Sequence, residues 1–172
     1  FIVLNEQLSQ FKSGLKKLVD YKNLLQEYKD KIESLKIEFS QENIKTFRYL
    51  DENKAVIDKN IDLFRSFSKE FYEDKPGGID ITNNEGVNQI RFDIKVKIED
   101  DTSDGINEVK IFCFDFTLLL ASFNHKVGFV IHDSRLFSNM DPRQRATLFR
   151  IAYEYSNEYD RQYIATINED NL

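Results

Sequence analysis

The chain has 172 residues, 41% of them hydrophobic and including 15 Phe and 8 Tyr, which suffices for one domain with a real core. No run of about 18 apolar residues and no charged-then-apolar leader occurs, so a membrane span and a secretory signal are excluded and the cytoplasm is the expected compartment. Lys+Arg and Asp+Glu balance at 14 each over residues 1–75 but stand at 10 against 16 over residues 76–172, so the formal charge of −6 resides in the second part and argues against sequence-independent nucleic-acid binding there.

The single cysteine, Cys113, rules out an intrachain disulfide and any multi-cysteine metal site, and its apolar neighbours predict a buried thiol. Phe1 opens the chain and Met140 is its only methionine, which suggests a fragment or a processed product.

From Leu4 to Lys75 there is no proline and only Gly14, as expected of long helix. Leu4, Leu8, Phe11, Leu15 and Leu18 step by fours and threes, the seam of a coiled coil. The phase then slips to Tyr21, Leu25, Tyr28, Ile32, Leu35 and Phe39, an overwinding stammer. Around Ser40 the pattern weakens, and Ser40 or Asn43 could cap a new helix striped by Ile44, Phe47, Ile57, Ile61, Phe64 and Phe71. Such a stripe requires a partner. Residues 1–75 thus read as a helical arm, ended by Pro76-Gly77-Gly78.

Over residues 76–172 the period changes to two. Ile79 and Ile81, a turn at Asn83 to Gly86, and the alternation of Ile90, Phe92, Ile94, Val96 and Ile98 with charged residues predict a hairpin with one buried face. A polar loop from Glu99 to Gly105, a helix over 106–122, an apolar strand over 127–131, a helix over 142–157 begun by Pro142 with Asp141 as cap, and a last strand over 163–167 complete the lobe. The fold class is α/β or α+β, with a hairpin and a mixed or parallel sheet.

The most informative stretch is Val127 to Arg145. An apolar strand followed by Asp133 sets a carboxylate where ligands bind in open α/β sheets, suited to a Mg²⁺-bound water, although the same residue can simply close a turn. Upstream, Thr102-Ser103-Asp104-Gly105 opens a helix whose free N–H groups could receive phosphate. In this order the set resembles the C-terminal lobe of the SMC/RecN/RecF branch of ABC-type ATPases. It is most similar to the YydD-like bacterial family of unknown function, with its S-D/E-G-I loop and h-H-D-S-x-L-F-x-x-x-D motif, here Ile131 to Phe137 followed by Asp141.

That resemblance spans about residues 70–172 and implies an ATPase half-lobe after a coiled-coil arm. By it, Asp133 is the Walker B carboxylate, Ser103 and Gly105 belong to a signature-like loop, Asp141 begins a D-loop-like turn, and Asn168 stands in place of a switch histidine. Ser134 replaces the usual catalytic glutamate and is no base near neutral pH. His132 has a suitable intrinsic pKa, though strand alternation points it away from the face Asp133 serves. Asp104 occupies a signature glycine position and brings negative charge toward a γ-phosphate.

No G-x-x-x-x-G-K-[S/T] occurs in the chain, so the principal phosphate cradle is missing. The resemblance therefore implies a P-loop lobe elsewhere on the same polypeptide, joined through an antiparallel coiled coil, Mg-ATP bound only by the full-length protein, and a homodimer through heads or coiled coil, with DNA repair or phage defence as the setting by analogy. The competing expectation is a non-enzymatic coiled-coil interaction module with a degenerate ATPase-like lobe. The acidic loop Glu99, Asp100, Asp101 and Asp104 lacks EF-hand spacing, Asp115 reads as a polar group paired inside the lobe, and no nucleophile elbow or H-E-x-x-H supports a hydrolase.

Overall fold

A computed structural model of the chain describes residues 1–86, 90–100, 102–121 and 123–168. It divides into two compact units, Phe1–Arg48 and Tyr49–Leu172. The first unit is helical from Ile2 onward. Helix α1, Ile2–Glu52, passes through Ser40 and Asn43 without a break, since neither residue disrupts the i→i−4 ladder and no Pro or Gly lies nearby. The break comes at Asn53 instead. Its backbone N–H and its Nδ2 both donate to the Tyr49 carbonyl, at 3.1 and 2.8 Å, closing α1 before α2, Lys54–Phe71, begins.

The second unit is built on aromatic residues. Phe64, Phe67 and Phe71 of α2 are buried against Phe112 and Phe116 of α3, Asp104–Ala121, and Leu148 and Ile151 of α4, Pro142–Glu158, join the same cluster. The Phe67 ring meets Phe116 edge-on at 5.5 Å and Tyr155 at 5.1 Å between centroids. The second unit begins at Tyr49, ahead of the Lys75–Pro76 break, and the last turns of the helical stretch carry core phenylalanines.

Strands β1, Gly77–Asn83, and β2, Phe92–Ile98, pair antiparallel from Gly77↔Ile98 to Asn83↔Phe92, which is the expected hairpin. Its burial is confined to one end. Ile98 is fully buried and Ile79 and Val96 pack on the core, whereas Ile94 and Ile90 are exposed, so alternation overstated the buried face. Gly77 is required at the buried end: a Cβ there would lie 2.8 Å from Ser68 Cβ and 3.2 Å from the Phe64 ring.

Strands β3, Phe129–His132, and β4, Gln162–Ala165, pair in parallel from Phe129↔Gln162 to His132↔Ala165. A one-turn 3-10 helix, Ser134–Phe137, and α4 connect them. The described strands form two separate two-stranded sheets, so the architecture is α+β containing one βαβ unit.

Candidate functional site

A cleft of about 580 Å³ opens where the first turns of α3 face the end of β3 and the 3-10 helix. Asp104, Asn107 and Glu108 line one wall, and His132, Asp133, Arg135 and Asn139 line the other. Asp133 sits immediately after β3 and is exposed to the cleft. Its Oδ1 accepts from the Arg135 N–H at 3.1 Å, so the carboxylate also caps the 3-10 helix. Both readings of Asp133 drawn from sequence, ligand group and turn closer, are thus compatible with its position.

His132 points the other way, as strand alternation requires. It is buried, with Nε2 3.1 Å from Asp115 Oδ2 and Nδ1 3.0 Å from the Tyr163 hydroxyl. A carboxylate only accepts, so Nε2 carries the proton, and in the neutral ring Nδ1 accepts from the Tyr163 O–H. Burial first, and the Asp115 charge second, push the Tyr163 hydroxyl well above its ordinary value of 10.0 and keep it a donor. Both ring nitrogens are engaged. His132 is therefore a brace joining α3, β3 and β4, with both ring nitrogens bonded within the lobe.

The brace carries a pH dependence. In the unfolded chain Tyr163 ionises near 10, whereas the folded chain holds the proton longer, so its contribution is complete below pH 10 and is lost as pH rises beyond it. The slope is at most about 1.4 kcal/mol per pH unit for one group. Tyr163→Phe should make the alkaline fall in urea-unfolding midpoint less steep above about pH 10. An unchanged slope would show that Tyr163 ionises as freely folded as unfolded. Cys113, fully buried with its thiol raised for the same reason, remains in the variant and acts in the same direction.

The segments that open α3 and α4 meet. Ser103 is exposed just before α3, and its carbonyl accepts from Asn107 N–H at 2.9 Å. Gly105 is buried, and a Cβ there would lie 2.8 Å from the Asn139 carbonyl oxygen and 3.2 Å from Gln144 Oε1. One turn on, Glu108 accepts from Asn139 N–H at 3.1 Å and Asn139 Nδ2 at 2.8 Å. Asp141 caps α4 in a reciprocal capping box with Gln144, whose Nε2 donates to the Tyr72 hydroxyl. Gly105→Ala should destabilise by about 1–3 kcal/mol despite the better helix propensity of alanine, because backbone at Asn139 must move. A stabilised variant in urea titration would contradict this packing.

Asn168 is exposed after β4 and does not line the cleft. Asp101 of the acidic loop lies outside the described residues, as does Ser122 at the expected end of α3. Among the described residues no cluster of three or more His, Cys, Asp or Glu side chains could hold a metal ion. A single exposed carboxylate nonetheless suits Mg²⁺, which keeps several waters and takes further oxygens from phosphate. Sequence reasoning overlooked Glu108 and Asn139. Glu108 shares a face of α3 with Phe112 and Asp115 at spacings of four and seven, and a charge on an apolar stripe was the available signal.

Residues 67–172 match the family described as "Uncharacterised protein conserved in bacteria (DUF2326)". The chain belongs to the DUF2326 family. The matched span contains the last turn of α2, both sheets, the cleft and the His132 brace, and hence every sequence-selected site residue. No curated protein matches the chain. No described helix is long and apolar enough to cross a membrane.

Proposed function

We propose that this DUF2326 chain supplies half of a nucleotide-handling head in an SMC- or RecN-like, YydD-like coiled-coil ATPase. The observation that carries the reading is Asp133, an exposed carboxylate just beyond the C-terminal end of a strand in a parallel pair, opening on a cleft whose other wall is a helix N-terminus. That is where open α/β folds bind ligands. Asp133 would hold Mg²⁺ through water, and Ser103 and Gly105 would cap nucleotide presented by a paired head, with the P-loop coming from another segment of the polypeptide. When bound, Mg²⁺ would neutralise phosphate charge. The chain's own part is positional: Gly105 and the Glu108–Asn139 bonds tie the start of α3 to the turn before α4.

Ser103→Arg tests this directly. The side chain is exposed, so folding should be preserved, while nucleotide-dependent pairing of full-length heads should be lost by analytical ultracentrifugation. Pairing undiminished by the substitution would remove the loop from the mechanism. A second reading, a non-enzymatic interaction module, is favoured by the exposed apolar side chains of Phe129, Ile131 and Ile111 beside the cleft. Under it, substitutions at Asp133 would affect stability alone.

A further inference from the structure

The apolar seam of α1 is exposed along the first unit: Leu8, Phe11, Leu15, Leu25, Ile32 and Leu35 are all between 42% and 71% accessible. Its borders are chemically unequal. Of the six seam residues of one heptad class, Leu4, Phe11, Leu18, Tyr21, Tyr28 and Leu35, four are followed directly by lysine: Lys12, Lys22, Lys29 and Lys36. These lysines fall on a single border of the seam, on both sides of the phase slip. Of the acidic residues of the same stretch, Glu6, Asp20, Glu27, Asp30 and Glu33 lie away from the seam, and Glu38, directly before Phe39, stands on the border opposite these four lysines.

We infer that α1 pairs with a helix of different sequence, whose leucine-type seam is bordered by glutamate or aspartate, and does not pair with a second copy of itself. In an antiparallel self-pair the lysine border would face its own copy. In a parallel self-pair Lys31 would face Lys36 of the other helix twice over. Like charges at such positions oppose pairing, whereas an acidic border converts every one of these contacts into attraction. A bilayer surface fits the face poorly, because a seam that slips phase winds around the helix and cannot meet one plane. The inference is independent of the nucleotide reading.

The test uses the 172-residue chain and two synthetic helical peptides with one leucine seam, bordered by Glu in one and by Lys in the other. By fluorescence anisotropy at low salt, the Glu-bordered peptide should bind at least about tenfold more tightly, since several pairs contribute together. Added salt should shrink the preference. The combined Lys12→Glu, Lys22→Glu, Lys29→Glu and Lys36→Glu variant should reverse it. Equal binding of the two peptides by the wild-type chain would overturn the proposal. So would self-association in sedimentation equilibrium that Leu15→Asp abolishes, or binding to phosphatidylserine vesicles tighter than to the Glu-bordered peptide.

Discussion

Phe67→Ala is expected to cost about 3–5 kcal/mol of unfolding free energy, a large share of what a domain of this size possesses. The side chain is fully buried and edge-on to both Phe116 of α3 and Tyr155 of α4, so one ring joins three helices. Truncation removes the transfer term and leaves a cavity that helices fixed by other aromatic contacts cannot collapse to fill. Phe67→Leu, which keeps most of the volume, should cost about 1.5 kcal/mol or less. Urea titration of the 172-residue chain followed by tyrosine fluorescence measures both. A loss below about 1 kcal/mol for Phe67→Ala would mean that α2 is not part of the lobe's core.

That variant also bears on what the sequence could disclose. The switch from a helical period to alternation at Pro76 is local, and the elements on either side of it are legible from spacing alone: the long helices, the hairpin, and the order helix, strand, helix, strand. Which elements share a core is a long-range property. The phenylalanines of α2 sit on a stripe that looks like a continuation of the α1 seam, yet they are covered while that seam is exposed. For the same reason Ser40 and Asn43 suggested a helix start that the backbone does not make, and Ile94 suggested burial that nothing provides.

The candidate site divides similarly. Asp133 after an apolar strand and Asp141 before Pro142 are local signals, and both occupy the positions those signals imply, a strand end and a helix cap. The partners that hold the site together are remote in sequence: Glu108 and Asn139 are 31 residues apart, as are His132 and Tyr163. No periodicity announces such pairs. Asp115 was readable only as a charge needing a partner, and His132 proved to be that partner.

Under the proposed function Asp133 serves nucleotide chemistry and does more than end a strand. Its capping role complicates alanine substitution, since loss of the Arg135 N–H acceptor alone would cost about 0.5–2 kcal/mol. Asp133→Asn avoids this, because the amide oxygen can still accept from Arg135 while the negative charge needed beside Mg²⁺ is gone. Asparagine and aspartate are near-equal caps, so the variant should unfold within about 0.5 kcal/mol of wild type. The decisive measurement is steady-state Mg-ATP turnover by the full-length protein, wild type beside Asp133→Asn, with the 172-residue chain as a third sample. Turnover is expected in the wild type, with a fall of about 100-fold or more in the folded variant and none from the chain alone. A full-length protein that neither binds nor hydrolyses Mg-ATP, or an Asp133→Asn variant as active as wild type, would contradict it.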